Sequence, residues 1–284
     1  MHDSIRKADI LIEAVPYIQA FRGKVIVAKY GGSAIDNPTA MRGILQDLVF
    51  LNAVGIGAVL VHGGGPMITR RLSESGRSTR FINGMRVTDR ATVRIVNQEL
   101  ETVNRRLVHQ VVEVGGRAHG FVARHRAIRA TPHPQAKQLG FVGSVKSVDV
   151  AAIRRALASR AVPVLSPIGV RNGQLYNINA DSVACDVAAS LRAEKLVLLT
   201  NVRGILRKPD DPASLLSTVA ANDTPRLIKI GVVQSGMIPK VQACVDALRR
   251  GVKKAHIIDA GIPHAMLLEI FTKTGIGTEI VKPR

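Results

Sequence analysis

The stretch KVIVAKYGGS (residues 24–33) and its echo IGAVLVHGGGP (residues 56–66) decide the reading of the whole chain. Val25, Ile26, Val27 and Ala28 form a continuous apolar run too short for a helix and rich in β-branched residues. This predicts a buried strand over Lys24–Lys29, broken by Gly31-Gly32. Ile56–Val61 repeats the pattern, and His62-Gly63-Gly64-Gly65-Pro66 leads into a further helix. Between them, Asn37-Pro38 supplies a cap and a first-turn proline for a helix over Thr39–Ala53. Strand, glycine turn and helix in succession is the rhythm of an open, mostly parallel sheet covered by helices.

Working outward, Ile5, Ala8, Ile12, Val15 and Ile18 recur at helical spacing over residues 5–21, with Pro16 placing a kink. Thr88–Val114 reads as one long helix ended by Gly115-Gly116, followed to Ser147 by short antiparallel strands. A helix at 149–159 and a strand at 162–166 restore the rhythm. Tyr176–Asn179 is extended, Ser182–Leu191 helical, Leu196–Thr200 a buried strand, Pro239–Arg250 helical and Ala255–Asp259 a last core strand. A terminal helix lies near His264–Thr272. Three divisions follow: an N-terminal helix (1–22), a lobe over 23–173 and a second lobe over 174–284, with the boundary near Arg171-Asn172-Gly173.

The composition, 46% hydrophobic and 21% charged, is that of a folded globular chain. Apolar runs fall far short of the ~20 residues a bilayer span needs. Asp3 and Glu13 interrupt the N-terminus where a signal peptide needs an apolar core. The two cysteines, Cys185 and Cys244, sit in helical apolar patterns, so a reducing cytosol is expected and a disulfide framework is not. The net charge of +19 is compatible with anionic partners. Against nucleic acid as the main ligand stand the scatter of the basic residues and the scarcity of stacking aromatics: six Phe, three Tyr and no Trp. The densest basic stretch is Arg105–Arg129, with His109, His119 and His125.

Chemistry concentrates at the ends of the predicted strands. Gly31-Gly32-Ser33 and Gly63-Gly64-Gly65 bring bare backbone N–H groups toward an anion at a helix start. Neither matches the Walker pattern, and there is no Rossmann fingerprint. Lys29 ends an apolar strand with its ammonium aimed at the crevice where ligands of open α/β sheets bind. In Asn177-Ile178-Asn179-Ala180-Asp181, residues two apart share a face, which aligns two amides and a carboxylate; Asp181 alternatively serves as a helix N-cap. Lys240, in the first turn of a helix after Gly236, is opposed by the helix dipole and requires a compensating anion, Asp181 or a phosphate.

Lys29–Ser33, His62–Pro66, Gly84-Met85-Arg86-Val87-Thr88-Asp89, Asn177–Asp181 and Gly236–Lys240 resemble, in order, the motifs of the N-acetylglutamate kinases within the amino acid kinase family. The resemblance runs from about Ala14 to Ile280. It implies a three-layer αβα sandwich that uses ATP and Mg²⁺ to phosphorylate the γ-carboxylate of N-acetyl-L-glutamate in arginine biosynthesis. It implies catalytic roles for Lys29 and Lys240, organised by Asp181. The amino-acid substrate would be held by Gly63, Gly64, Arg86, Asn177 and Asn179, and the phosphates and nucleotide by Gly31, Gly32, Thr200, Gly204 and Gly236. A carboxylate nucleophile is ionised at neutral pH and needs no base, so His62 is expected to set a loop.

The match loosens in the middle. Glu101-Thr102 precede Val103 and Asn104 where Gly-Lys is usual, Val122-Ala123-Arg124-His125-Arg126 replaces a Ser-Gly-x-Asp-Gly turn, Asn201 stands for an aspartate and Ser235 for a glycine. A kinase for a related acidic amino acid, such as a carrier-linked aminoadipate, or a non-catalytic arginine or nucleotide sensor, are the alternatives. At the ends, the N-terminal helix and His264–Thr278 resemble the hexameric, arginine-inhibited branch, a trimer of dimers. This implies an L-arginine site built from His264, Glu269 and Gly275. Some relatives in photosynthetic organisms bind a PII signalling protein, for which nothing in this sequence argues specifically.

Overall fold

The computed structural model describes residues 2–31, 37–272 and 274–283, so Gly32 and Ser33 lie outside the described residues. In chain order the elements are α1 (His2–Phe21), β1 (Val25–Tyr30), α2 (Pro38–Ala53), β2 (Gly57–His62), α3 (Gly65–Glu74), β3 (Phe81–Ile82), β4 (Met85–Arg86), α4 (Arg90–Glu113) and β5 (Arg117–Phe121). They continue with β6 (Ile128–Pro132), α5 (Ala136–Leu139), β7 (Gly143–Val148), α6 (Val150–Ala158), β8 (Ala161–Leu165), β9 (Ile168–Arg171), β10 (Gln174–Asn177), α7 (Ala180–Leu191) and β11 (Lys195–Thr200). The last are β12 (Thr218–Ala220), α8 (Thr224–Lys229), α9 (Met237–Arg249), β13 (Lys254–Asp259), α10 (Ala265–Ile270) and β14 (Thr278–Val281).

Eight strands form one sheet in the order β12-β14-β13-β11-β1-β2-β8-β5. β13 through β5 run parallel, and β14 turns antiparallel to β13. β1 is central, paired with β2 on one side and β11 on the other. Its alternate residues explain the layers: Ile26, Ala28 and Tyr30 pack with α2, α4 and α10, while Val27 packs with α6, α7 and α9 on the opposite face. Each large apolar side chain buried this way contributes about 1.5–3 kcal/mol. Lys29, next in the alternation after Val27, therefore belongs to the α7–α9 face. The result is a three-layer αβα sandwich.

The predicted cap of α2 is present: Asn37 Oδ1 accepts the Ala40 N–H at 3.1 Å, with Pro38 opening the helix. The segment expected to be all short antiparallel strands divides instead. Arg117–Phe121 joins the main sheet parallel to β8, with Ala118 on the α4 face and Phe121 on the other. Within that segment β6 and β7 pair antiparallel, in a small sheet β10-β9-β6-β7 beside the main one. Arg171-Asn172-Gly173 is the turn of the β9–β10 hairpin, with φ of 48° at Asn172 and 78° at Gly173, the left-handed pair that matches strand twist. Cys185 and Cys244 are both free and buried, in α7 and α9. Among the described residues no helix is long and apolar enough to cross a membrane.

Candidate active site

The parallel sheet leaves a crevice beyond the carboxyl ends of β1 and β2, and here Lys29, Asp181 and Lys240 meet. Lys29 Nζ lies 2.9 Å from Asp181 Oδ1, and Lys240 Nζ donates to Asp181 Oδ2 at 3.1 Å. One carboxylate thus bridges two ammonium groups from three elements, β1, α7 and α9. Burial alone would push the Asp181 carboxyl up, but the two lysines outweigh it and hold it below the usual range. Burial pulls the Lys29 ammonium down, with Asp181 opposing and Lys240 reinforcing the shift. Lys240 sits at the unfavourable end of the α9 dipole, and Asp181 is the anion that compensates.

These three groups line a cavity of about 250 Å³ with Gly63, Gly64, Arg86, Asn177, Asn179, Phe81 and Met85, among others. Gly31 adjoins it: a Cβ there would lie 3.1 Å from Lys29 Nζ and 3.2 Å from the Gly63 Cα, so the bare backbone makes room for the ammonium. Gly63 lines the wall, yet its N–H is committed to the Tyr30 carbonyl at 2.7 Å and is not a free donor. Gly64 and Gly65, at the start of α3, line the same wall.

Asn177, Asn179 and Asp181 do face one cavity. The cap of α7, however, is Asn179 rather than Asp181: Asn179 Oδ1 accepts from the backbone of Asp181 and Ser182 at 2.8 and 3.1 Å. This frees the Asp181 carboxylate for the lysines. Asn177 donates to Thr88 Oγ1 at 3.2 Å. Arg86 is buried and held in place by Thr79 Oγ1, Thr69 Oγ1 and the Gly65 carbonyl at 3.0, 2.9 and 3.2 Å, with its guanidinium 4.8 Å over the Phe81 ring. Thr69 and Phe81 carry no motif that sequence reading could flag. His62 is fully buried, with Nδ1 2.8 Å from the Gly63 carbonyl and Nε2 3.1 Å from Asn104 Nδ2. Burial lowers its pKa to about 4, so it stays neutral, donates from Nδ1 and sets the glycine turn.

Thr200 and Gly204 do not line this cavity. The Thr200 hydroxyl lies 2.8 Å from the Val202 carbonyl and accepts the Val202 N–H at 3.1 Å, shaping the loop after β11. Gly204 packs against Thr278 of β14. Gly236 caps the start of α9, one turn before Lys240.

A second cavity of about 560 Å³ opens between the end of α1 and the β13–α10 region. Tyr17, Phe21, Lys195, Lys254, His256, Glu269, Gly275 and Glu279 contribute to it. Glu269 accepts from His256 Nδ1 at 2.5 Å and from the Ile276 N–H at 2.7 Å. Burial opposes its ionisation, but these bonds and Lys195 hold it low. Gly275, at φ 64°, leaves no room for a side chain beside Glu269. His264 is elsewhere: its Nδ1 lies 2.6 Å from Asp47 Oδ1 of α2. His256 and Lys195 line this cavity instead: Lys195 opens β11, and His256 lies between Lys254 and the apolar Ile257-Ile258 of β13, where no motif marks either.

The family model that describes the amino acid kinase family matches residues 24–259. Acetylglutamate kinase of Moorella thermoacetica is 46% identical, over 98% of each chain. That of Synechococcus elongatus is 47% identical, over 96% of this chain and 91% of the relative. Among solved structures, N-acetylglutamate synthase from Neisseria gonorrhoeae, complexed with coenzyme A and N-acetyl-glutamate, superposes with a TM-score of 0.84 at 28% identity. It covers 96% of this chain, which spans 63% of that one. The same synthase complexed with coenzyme A and L-arginine gives 0.81 at 27% identity, over 95% of this chain and 64% of that one. With a bridged pair of lysines beyond the carboxyl ends of its parallel strands and similarity of this extent, the chain belongs to the amino acid kinase family.

Proposed function

We propose that the chain is an acetylglutamate kinase, transferring the γ-phosphoryl group of ATP to the γ-carboxylate of N-acetyl-L-glutamate. The observation that carries this reading is the Lys29–Asp181–Lys240 bridge on the wall of a cavity that also holds Arg86, Asn177 and Asn179. The acceptor carboxylate has an ordinary pKa near 4.3, so at neutral pH it is an ionised nucleophile and no base is required. The barrier is the repulsion between two anions, and fixed cations that need no reorganisation lower it. Lys29 and Lys240 supply that charge, and Asp181 keeps both in register. Arg86 presents a guanidinium to a substrate carboxylate. Asn177, whose amide nitrogen donates to Thr88, offers its Oδ1 to the acetamido N–H, and Asn179, whose Oδ1 caps α7, offers its amide nitrogen to a substrate oxygen. Asp181 is committed to the two lysines, and in this reading Mg²⁺ enters as the complex with substrate ATP. In this reading residues 23–173 and 174–284 serve mainly the amino-acid and nucleotide sides, in a cytosolic enzyme.

L-arginine is the proposed inhibitor, bound in the cavity at Glu269. That cavity offers carboxylates (Glu269, Glu279) and ammonium groups (Lys195, Lys254) together, which suits a zwitterion carrying a second cation. α1 leaves Ile10, Leu11 and Ile12 exposed, up to 70% at Ile12, and the partner proposed for this face is the α1 of a second copy in a hexamer.

The deciding experiment is ADP release with ATP, Mg²⁺ and N-acetyl-L-glutamate, beside glutamate, aspartate and N-acetylaspartate. Turnover that requires N-acetylglutamate and disappears in Lys240→Ala is expected. Silence from folded protein with every substrate would overturn the reading. Rates unmoved by millimolar arginine would remove the inhibitor from it.

A further inference from the structure

The basic stretch Arg105–Arg129 has no part in the site above, yet it folds around a cavity of its own, about 380 Å³ in volume. Arg105 and Glu101 reach it from α4, His119 from β5, and Arg124 and His125 from the short 3-10 turn Ala123–His125. The His119 ring packs at a tilt against Phe121, 4.6 Å between centroids, and the His125 ring lies 6.0 Å from that of His119. His125 Nδ1 accepts the Val122 N–H at 3.1 Å, which leaves Nε2 as the donor. Neither arginine makes an ion pair among the described residues, where the paired arginines are Arg71, Arg77, Arg249 and Arg250. Glu101 is the one carboxylate on the wall, and its Oε1 already accepts from Asn97 at 3.3 Å.

The floor of this cavity is Asn104, only 2% exposed. Its amide nitrogen donates to His62 Nε2 at 3.1 Å and to the Val164 carbonyl at 2.8 Å. His62 in turn holds the Gly63 carbonyl at 2.8 Å, and Gly63 is a wall of the catalytic cavity. Gly120 makes the arrangement possible, because a Cβ there would collide with Asn104 Oδ1. Two unpaired guanidinium groups and two imidazoles converge from separate elements, at one end of an unbroken line of buried hydrogen bonds to the active site.

We propose that this cavity binds a small phosphate-bearing anion, and that Asn104 and His62 transmit its occupancy to the glycine turn. Forked guanidinium donors match phosphate oxygens in pairs, and an imidazole N–H adds a further donor. An anion held by both Arg105 and Arg124 draws α4 toward the turn after β5, and Asn104 moves with α4.

The test is a titration of the full chain with inorganic phosphate, following the imidazole resonances of His62, His119 and His125 by NMR, with sodium chloride at matched ionic strength as the control. Saturable shifts of His119 and His125, absent in the control, are expected. In Arg105→Gln and Arg124→Gln the midpoint should rise about tenfold, the loss of a charge-assisted bond, and the His62 shift at a given phosphate concentration should shrink with it. Both arginines are exposed, so the variants keep the fold, which circular dichroism checks. Shifts that grow linearly, midpoints unchanged in the variants, or a His62 response as large in the variants as in the parent would overturn the proposal.

Discussion

Asp181 offers each of its oxygens to a different lysine, and this division of one carboxylate has measurable consequences. Asp181→Asn keeps the shape but removes the charge between the ammonium groups, and kcat should fall about a hundredfold to a thousandfold. Lys29 then loses the partner that opposes burial, so its pKa drops further and the alkaline limb of the kcat profile should move to lower pH. A purely structural role would leave that limb in place. His62 permits a second calculation. In the native state it stays neutral to about pH 4, whereas in the unfolded chain it takes up a proton near 6.5. Between those values the unfolded state binds more protons, so stability falls as pH falls, by about 3 kcal/mol at most over the window. Urea midpoints measured from pH 4 to 7 should show a shallower slope in His62→Gln. Burial also lowers His256, which titrates with the same sign in both proteins. At this scale Lys29 and Asp181 were legible because a charge at an apolar strand end or aligned with two amides at a helix start has few structural uses, whereas Arg86 came from the family resemblance alone. Lys195 and His256 were not, since nothing local distinguishes them from residues leaving a core strand.

The short helix α10 shows how an element depends on a distant one. Its first turn is capped from α2 by Asp47, which is fully buried, accepts the Met266 N–H at 3.1 Å and lies 2.6 Å from His264 Nδ1. Asp47→Ala leaves those donors without an acceptor and should cost about 2 kcal/mol, read from the urea midpoint. The same short element holds Glu269, so at the arginine site proposed there the concentration for half-inhibition should rise with it. Elements were legible from sequence where both faces are buried. β1, β2, β11 and β13 carry apolar runs such as Val25–Ala28, Ala58–Val61, Leu196–Leu199 and Ile257-Ile258, because helices cover the sheet on each side. β12 and β14 lie at or next to one edge, are three and four residues long, and carry Thr218, Thr278 and Glu279 among their few apolar positions, so no periodicity announces them. β5, at the other edge, was legible as a strand, but its parallel partner β8 lies across a long crossover that no local pattern reveals.

For the molecule as a whole, the order of layers followed from two glycine-ended apolar runs, while the small sheet β10-β9-β6-β7 depended on pairings between segments far apart in the chain. The net charge of +19 acts at this scale too. Anionic substrates are drawn by the field of the entire surface, and salt screens that field. Raising sodium chloride from about 50 to 500 mM should therefore lower kcat/KM several-fold, mainly through KM, while kcat moves little. A kcat/KM indifferent to salt would mean that the surplus charge faces away from the mouth of the site.

The position of β1 between β2 and β11 also bears on when the protein becomes active. β1 meets β2 soon after it in the chain, but β11 arrives only after the rest of the first lobe and the start of the second, and α9 later still. Such long-range pairing is slow compared with helix or hairpin formation. The Lys29–Asp181–Lys240 bridge thus forms only when the most distant segments have docked. Recovered activity after dilution from denaturant becomes a clock for the last folding step, lagging the return of helical signal, and a nascent chain still lacking α9 is catalytically silent however much of its sheet has formed.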